Sequence, residues 1–520
     1  MKKHFKLFLF LGLFILMFFA LYGCMAADSG GKGEYIGSTG DSLGGVIGDS
    51  TESDSEGDGG DADTNDDAIF EITQEDIDEI NKIQAGQITS MEWSDCEHYE
   101  DWLKLLKLDE QGTEKNGKLA VVYKNLLDIS NNLIATNMYI FKITSGENVL
   151  RNAKVKVLDT DQNVIFESVT DVNGITYIHL KEFTSTIIVS IEYNKQIYSN
   201  TIELNVNERF YNINISDVEP LDKPKTLDLL LVIDTTGSMY DEIAYLQAEL
   251  KDVLSNLSDL NMDIRLSLLF YRDHGDEYVT LKYDFTTNID SQILNLSKQN
   301  ADGGGDWEEA VDIAYDEVTK LSWGEDSVKI MFHVADAPPH FHKYNIGLFA
   351  QSIRTLAQKG VRIIPIACSG IEITTEALYR IAALYTGGTY TYLTDHSGIG
   401  NDHHESVTGA TVVELLNKMM IRLIKEYCTG EDIEPVSYLK EYIAELTFDS
   451  VGGSYVNSIF LMKGNTVTAL QKPNKENHTF LGWYYLDGEV EIPFTLETVV
   501  NKDLTLYAKW QENTSEKGSN

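Results

Sequence analysis

Cysteine is scarce in this chain: four residues in 520, Cys24, Cys96, Cys368 and Cys428. No two form a Cys-x-x-Cys pair, which speaks against a structural zinc site. With Cys24 set aside, an odd number remains, a poor basis for a disulfide framework. Cys368, inside the apolar stretch Arg362-Ile-Ile-Pro-Ile-Ala-Cys368, reads as a small hydrophobe. Basic residues are also short, 41 lysines and arginines against 82 aspartates and glutamates, for a formal net charge of −41. Such a surface repels phosphate and excludes nucleic acid and anionic lipid as main partners. Catalytic signatures are missing as well. Gly237-Ser238 lacks the Gly-x-Ser-x-Gly elbow, and neither the kinase motif set nor His-Glu-x-x-His occurs. The expectation is a protein that is not an enzyme.

What is present begins with a leader. Lys2, Lys3 and Lys6 precede the apolar run Leu7 to Tyr22, shorter than the ~20 residues a membrane span needs. A basic n-region and a short apolar core read as a secretory signal. Leu21-Tyr-Gly-Cys24 resembles the lipobox of bacterial lipoproteins. That resemblance implies a signal peptide over 1–23, lipid on Cys24 and anchoring to the membrane on its extracellular face. Residues 24–68 are rich in Gly, Ser, Asp and Glu, as in Glu52-Ser-Asp-Ser-Glu-Gly-Asp-Gly-Gly-Asp-Ala-Asp63. They cannot bury enough apolar surface to order themselves, and read as a self-repelling tether.

The most informative stretch is Leu227-Asp-Leu-Leu-Leu-Val-Ile-Asp-Thr-Thr-Gly-Ser-Met239. A buried strand ends in Asp234, then Thr236 and Ser238 follow at two-residue steps. Three hard oxygen ligands at alternate positions can converge on one point. Val328 to Ala335 repeats the design and ends in Asp336-Ala-Pro-Pro-His340. Acids at the carboxyl ends of two buried strands mark the crevice where open α/β sheets bind ligands. An oxygen-only set suits Mg²⁺, or Mn²⁺ or Ca²⁺.

Asp234-Thr-Thr-Gly-Ser238 resembles the metal-ion-dependent adhesion site of von Willebrand factor A domains. Tyr271-Arg-Asp-His-Gly-Asp276, Gly303-Gly-Gly-Asp-Trp-Glu-Glu309 and Asp336-Ala-Pro-Pro-His340 are similar to the variety found beside alpha-kinases and in hemicentin-like proteins. The resemblance covers residues 225–429. It implies a doubly wound, Rossmann-like α/β domain with Asp234, Thr236, Ser238 and Asp336 as metal ligands. The partner protein's carboxylate would complete the coordination shell. Many A domains add a threonine from a second loop, where this chain has Ala301-Asp-Gly-Gly-Gly-Asp306. Whether Asp306 ligates directly, acts through water or only orients the loop stays open. Ser238 is expected to cap the following helix, and Asp306 to start the next.

The flanks are simpler. Residues 69–136 carry helical patterns, and Met91-Glu-Trp-Ser-Asp-Cys-Glu-His98 resembles a segment upstream of A domains in bacterial surface proteins. Residues 137–218 alternate apolar and polar, with turn chemistry at Thr170-Asp-Val-Asn-Gly174. They resemble the carboxypeptidase-regulatory-like, immunoglobulin-like sandwich. Residues 444–510 resemble the Listeria–Bacteroides repeat of internalin-type proteins, a small β-grasp-like module. Its Trp483, Tyr484, Tyr507 and Trp510 are expected in the core, and residues 511–520 form a loose tail.

The chain is therefore expected to be multidomain, a surface lipoprotein that binds protein through a divalent cation. Two rivals stand beside this. One is a metal-dependent hydrolase using Asp336 and nearby histidines, a zinc set of His333, His340 and His342 included. The other is a constitutive envelope-assembly scaffold whose metal is only structural.

Overall fold

The computed structural model describes residues 85–107, 118–395, 408–409, 411–438, 443–456, 458–467, 469–488 and 490–513. The leader, Cys24 and the tether lie outside the described residues. Among the described residues no helix is long and apolar enough to cross a membrane.

The first elements are β1 (Thr89–Trp93), α1 (Tyr99–Leu105) and α2 (Lys118–Ile129). The helices follow expectation within 69–136, but β1 does not. It is a strand of the large central sheet, although that sheet's next strand lies more than a hundred residues downstream. A sheet that ended there would leave a row of unpaired backbone groups, and β1 covers them. Trp102 anchors the helical part: it is fully buried, and its indole N–H donates to the Ala135 carbonyl at 2.9 Å.

The second module is a sandwich of two four-stranded sheets. One contains β2 (Met138–Ser145), β3 (Asn148–Val149), β6 (Ile175–His179) and β9 (Phe210–Asn214). The other contains β4 (Lys154–Leu158), β5 (Val164–Val169), β7 (Thr186–Tyr193) and β8 (Gln196–Glu203). Along β7 burial alternates strictly, with Ile187, Val189 and Ile191 inside, as a strand with one covered face requires.

The third module holds β10 (Thr226–Asp234), α3 (Tyr240–Ser255), β11 (Asp263–Tyr271), β12 (Thr280–Thr286), α4 (Ile289–Leu296) and α5 (Val311–Thr319). It continues through β13 (Val328–Ala335), α6 (Lys343–Gln358), β14 (Val361–Ala367), α7 (Ile373–Thr386), β15 (Tyr390–Leu393), β16 (Glu414–Leu415) and α8 (Leu416–Thr429). The sheet order is β12-β11-β10-β13-β14-β15-β1-β16. Strands β11, β10, β13, β14 and β15 run parallel, while β12, β1 and β16 are attached antiparallel. Strand β10 is buried on both faces: Leu227, Leu229, Leu231 and Ile233 enter one core, Leu230 and Val232 the other. That is why its sequence reads as an unbroken apolar run from Leu229 to Ile233. The second core continues through α1, α2 and the sandwich. The order reverses beside β10, between β11 and β13, which opens a crevice at the carboxyl ends of β10 and β13.

The last module is a mixed five-stranded sheet, β18-β17-β21-β19-β20, from β17 (Ile443–Asp449), β18 (Ile459–Met462), β19 (His478–Asp487), β20 (Val490–Phe494) and β21 (Leu504–Glu512). No helix is present among its described residues; Gly464 and Pro473 interrupt the link between β18 and β19. Trp483 is buried and Trp510 partly so, each donating its indole N–H to a backbone carbonyl, of Gln471 and Ser450. Tyr484 and Tyr507 face each other half-buried instead of entering the core. Gln511 and Glu512 belong to β21, paired with Thr479 and His478, so the tail begins later than expected. Cys96, Cys368 and Cys428 are buried free thiols.

Candidate metal centre at the carboxyl ends of two strands

Asp234 is the last residue of β10, and Asp336 directly follows β13. Both side chains are nearly inaccessible, at 0% and 3% exposure. Asp234 Oδ1 accepts from the Thr236 amide at 2.9 Å and from the Thr236 hydroxyl at 2.6 Å. The Thr236 hydroxyl lies 3.3 Å from that of Ser238. Ser238 in turn lies close enough to Asp336 to lower its pKa. The four residues expected to meet are therefore linked. A threonine oxygen that donates its proton to a carboxylate still has lone pairs for a cation.

Two expected helix roles fail. α3 begins at Tyr240 after a 3₁₀ turn over Gly237–Met239, and its cap position is Met239, with no side-chain cap. Ser238 is held inside that turn, where its hydroxyl meets Thr236 and Asp336 instead. Asp306 is exposed and does not start a helix; α5 begins at Val311. The buried acid of that loop is Glu309, three residues on and 3% exposed.

Glu309 is placed by its backbone. Its amide donates to the Pro338 carbonyl at 2.9 Å, and it bridges Pro339, which staples its loop to the one after Asp336. Two glycines earlier in that loop, Gly303 and Gly304, are a steric necessity. Gly303 and Gly304 adopt φ of +79° and +74°. A Cβ on Gly303 would lie 2.6 Å from the Asp276 carboxylate, and one on Gly304 2.9 Å from Glu309 Oε1 and 3.3 Å from Thr236 Cβ. Only glycine lets this loop close over the site. Asp276 holds it there, accepting from the Gly304 amide at 2.9 Å and the Asp273 amide at 3.0 Å.

The electrostatics are one-sided. Asp234 Oδ2, Asp336 Oδ1 and Glu309 Oε2 are buried with no hydrogen-bond partner among the described residues. Burial holds Asp234 above the ordinary carboxylate range despite its two Thr236 bonds. Burial, then repulsion from Asp234, does the same to Asp336. Burial, then the charges of Asp234, Asp273, Asp336 and Asp276, pushes Glu309 up to about 9. Unpaired buried carboxylates cost free energy unless a proton or cation joins them. Three orphaned hard oxygens beside two hydroxyls fit a divalent cation that prefers oxygen.

The histidines separate. His333 is fully buried, its ring nitrogens bonded to the hydroxyls of Tyr271 at 3.0 Å and Tyr315 at 3.1 Å. Burial lowers its pKa to about 3, so it is a neutral core residue. His342 is exposed at the start of α6. The zinc set of His333, His340, His342 and Asp336 is therefore not assembled. His340 instead pairs through Nε2 with Asp273 Oδ1 at 2.7 Å. Burial disfavours its charge, but Asp273, Asp306 and Glu308 outweigh that and raise its pKa.

Sequence reasoning missed Glu309 and Asp276. Glu309 carried a signal, an acid directly before the apolar start of a helix within a quoted motif. Asp276 ended a quoted motif too, but its role, accepting from the Gly304 amide, appears only once the glycine loop is closed.

Comparison with known proteins agrees with this geometry. Residues 228–401 match the von Willebrand factor type A domain, and residues 445–509 match the Listeria-Bacteroides repeat domain. The chain is thus multidomain, with a domain type that supports protein interaction or adhesion and ordinarily binds a divalent metal. It is 28% identical over 220 residues to a putative ariadne-like RING finger protein, R811, of Acanthamoeba polyphaga mimivirus, covering 38% of this chain and 21% of that one. It is 28% identical over 123 residues to the alpha-protein kinase vwkA of Dictyostelium discoideum, covering 23% and 20%. A putative membrane protein of Evansella cellulosilytica is 40% identical over 81 residues, covering 15% and 12%. The chain thus spans about a fifth or less of the length of each relative.

Proposed function

We propose that this protein is a surface-anchored binding protein whose A domain holds a divalent cation and, through it, a protein partner. The observation that carries the reading is the set of three buried, unpartnered carboxylate oxygens on Asp234, Asp336 and Glu309. Asp234, Thr236, Ser238 and Asp336 would hold Mg²⁺, Mn²⁺ or Ca²⁺, with Glu309 closing the set and Asp306 at its exposed rim. The cation supplies a Lewis-acidic position for a carboxylate of the partner. A binding role also suits the surroundings. Among the described residues of 226–429, the exposed large apolar side chains are Tyr240, Leu294, Trp307 and Tyr344. Trp307 stands on the loop that carries Glu309, Tyr240 opens α3 directly after the Ser238 turn and Tyr344 lies in the first turn of α6, and exposed aromatics of this kind anchor protein interfaces. No catalytic step is assigned to the site, and lipid on Cys24 with an extracellular location completes the reading.

The test is capture of partners from extracellular-matrix and envelope extracts by the full chain in Mg²⁺ and in EDTA. The partner should be retained in Mg²⁺, released by EDTA and not retained by Asp234→Ala. Replacing one Asp or Glu of the partner should abolish retention. Glu309 also favours a second reading, because a third carboxylate leaves less surplus positive charge to attract an acidic ligand. In that case the metal is structural and the protein a constitutive scaffold, and capture survives both EDTA and every acidic replacement in the partner.

A further inference from the structure

Beside the carboxylates of Asp234 and Asp336, the loops after β11 and β13 bring together a second group of donors. Asp273, His274 and His340 each offer one ligand atom, and these atoms lie within 4.8 Å of one another. Asp273 is 9% exposed, His340 half-buried, and His274 faces solvent. The two imidazole rings are 5.7 Å apart. The second nitrogen of His340, Nδ1, lies 3.5 Å from Glu308 Oε2. A further buried acid lies within electrostatic range of both histidines. Asp312 is fully buried, one of its oxygens has no hydrogen-bond partner among the described residues, and charge on either His340 or His274 is felt by its carboxylate. Its other oxygen accepts from the Asn345 amide at 3.1 Å.

We infer a second metal site, on Asp273, His274 and His340 with Asp312 and Glu308 beside it, for a transition ion of the Zn²⁺ class. The donor chemistry separates it from the first site. Two imidazoles and a carboxylate suit Zn²⁺, Co²⁺ or Ni²⁺, whereas Mg²⁺ and Ca²⁺ prefer oxygen alone. The acids around His340 that favour a proton there equally favour a cation. His274 must draw in and the 2.7 Å His340–Asp273 pair must open, since a tetrahedral ion with Zn–N bonds of about 2.0 Å holds its ligands roughly 3.3 Å apart. The group able to move is His274, which is exposed and followed by Gly275 at φ +98°. A bound ion would cross-link the loops that also carry Asp276 and Asp336. The inference does not depend on the adhesion reading.

The experiment is a Co²⁺ titration of the chelator-stripped full chain in excess Mg²⁺, read by visible absorption and followed by displacement with Zn²⁺. The wild type should bind one Co²⁺ with the intense bands of low coordination, and Asp234→Ala should leave them unchanged. His274→Ala and His340→Ala should each weaken Co²⁺ at least about tenfold, as loss of a metal-supporting group does, while His342→Ala should not. His274 is exposed, so its variant tests the site even where His340→Ala disturbs folding. Absence of Co²⁺ binding in excess Mg²⁺, full affinity in His274→Ala, or loss of the bands in Asp234→Ala would each overturn the inference.

Discussion

Strand β10 carries two fully buried aspartates six residues apart, and they are treated in opposite ways. Asp228, near its start, is held by Arg265 through Nε at 2.7 Å and Nη2 at 2.6 Å. It also accepts from the Gly324 amide at 2.7 Å and the Ser327 hydroxyl at 2.8 Å. Asp234, at the end, has Thr236 on one oxygen and no hydrogen-bond partner on the other among the described residues, and its charged neighbours include Asp273 and Asp336. One strand therefore shows both a closed structural carboxylate and an open one. Burial alone does not mark a functional acid; a missing counter-charge does.

The largest expected effect breaks the closed member. Arg265→Ala leaves Asp228 buried without its cation and should destabilise the central module by about 3 kcal/mol. Asp234→Asn in EDTA should cost nothing or stabilise, because it removes repulsion. Denaturant unfolding of both variants decides this, and equal losses would end the distinction.

Next in size is the metal effect. Mg²⁺ at a hundred times its Kd should stabilise the wild type by about 2.7 kcal/mol, and Asp234→Ala should erase the gain. Calorimetry of the full chain across a metal titration is the check. An unchanged unfolding temperature in millimolar Mg²⁺ and Mn²⁺ counts against the site.

The pH dependence sharpens the contrast further. Glu309 is raised from 4.5 to about 9, so the metal-free folded state binds more protons than the unfolded state between those values. Stability in EDTA should then fall as pH rises through that window. The Mg²⁺ gain should grow over the same window, because the cation needs the deprotonated carboxylates. Unfolding midpoints at pH 5 and pH 8, with and without Mg²⁺, measure both slopes; a metal gain equal at the two pH values would contradict the arrangement.

The smallest effect belongs to Asp306. Being exposed, Asp306→Ala should change stability by less than about 0.5 kcal/mol and leave Mg²⁺ affinity nearly intact. Glu309→Gln should weaken Mg²⁺ more. Isothermal titration of the two variants ranks them, and a larger loss in Asp306→Ala would make it the ligand in place of Glu309.

Much of this was legible in the residues. The apolar run ending in Asp234, the alternate Thr236 and Ser238, and the matching strand before Asp336 place two strands and the four oxygen-bearing side chains at their ends from the residues alone. Burial on both faces is written into β10 because Leu229, Leu231 and Ile233 on one face and Leu230 and Val232 on the other are all apolar. Glu309 was half legible: its type and motif were visible, its depth was not. β1 was hidden because five residues carry too little periodicity to declare a strand, and its partners are remote in sequence.

By itself, the sequence determined the order of modules, the parallel sheet and the oxygen donors at its crevice, since these follow from local periodicity and residue chemistry. Tertiary structure alone decided which acids are paired. Arg265 reaches Asp228, Tyr271 and Tyr315 neutralise His333 as a ligand, His340 turns to Asp273, and the glycine loop delivers Glu309 instead of Asp306. Each of these is a contact between segments tens of residues apart, where distance and burial set the electrostatics and local propensity has no purchase.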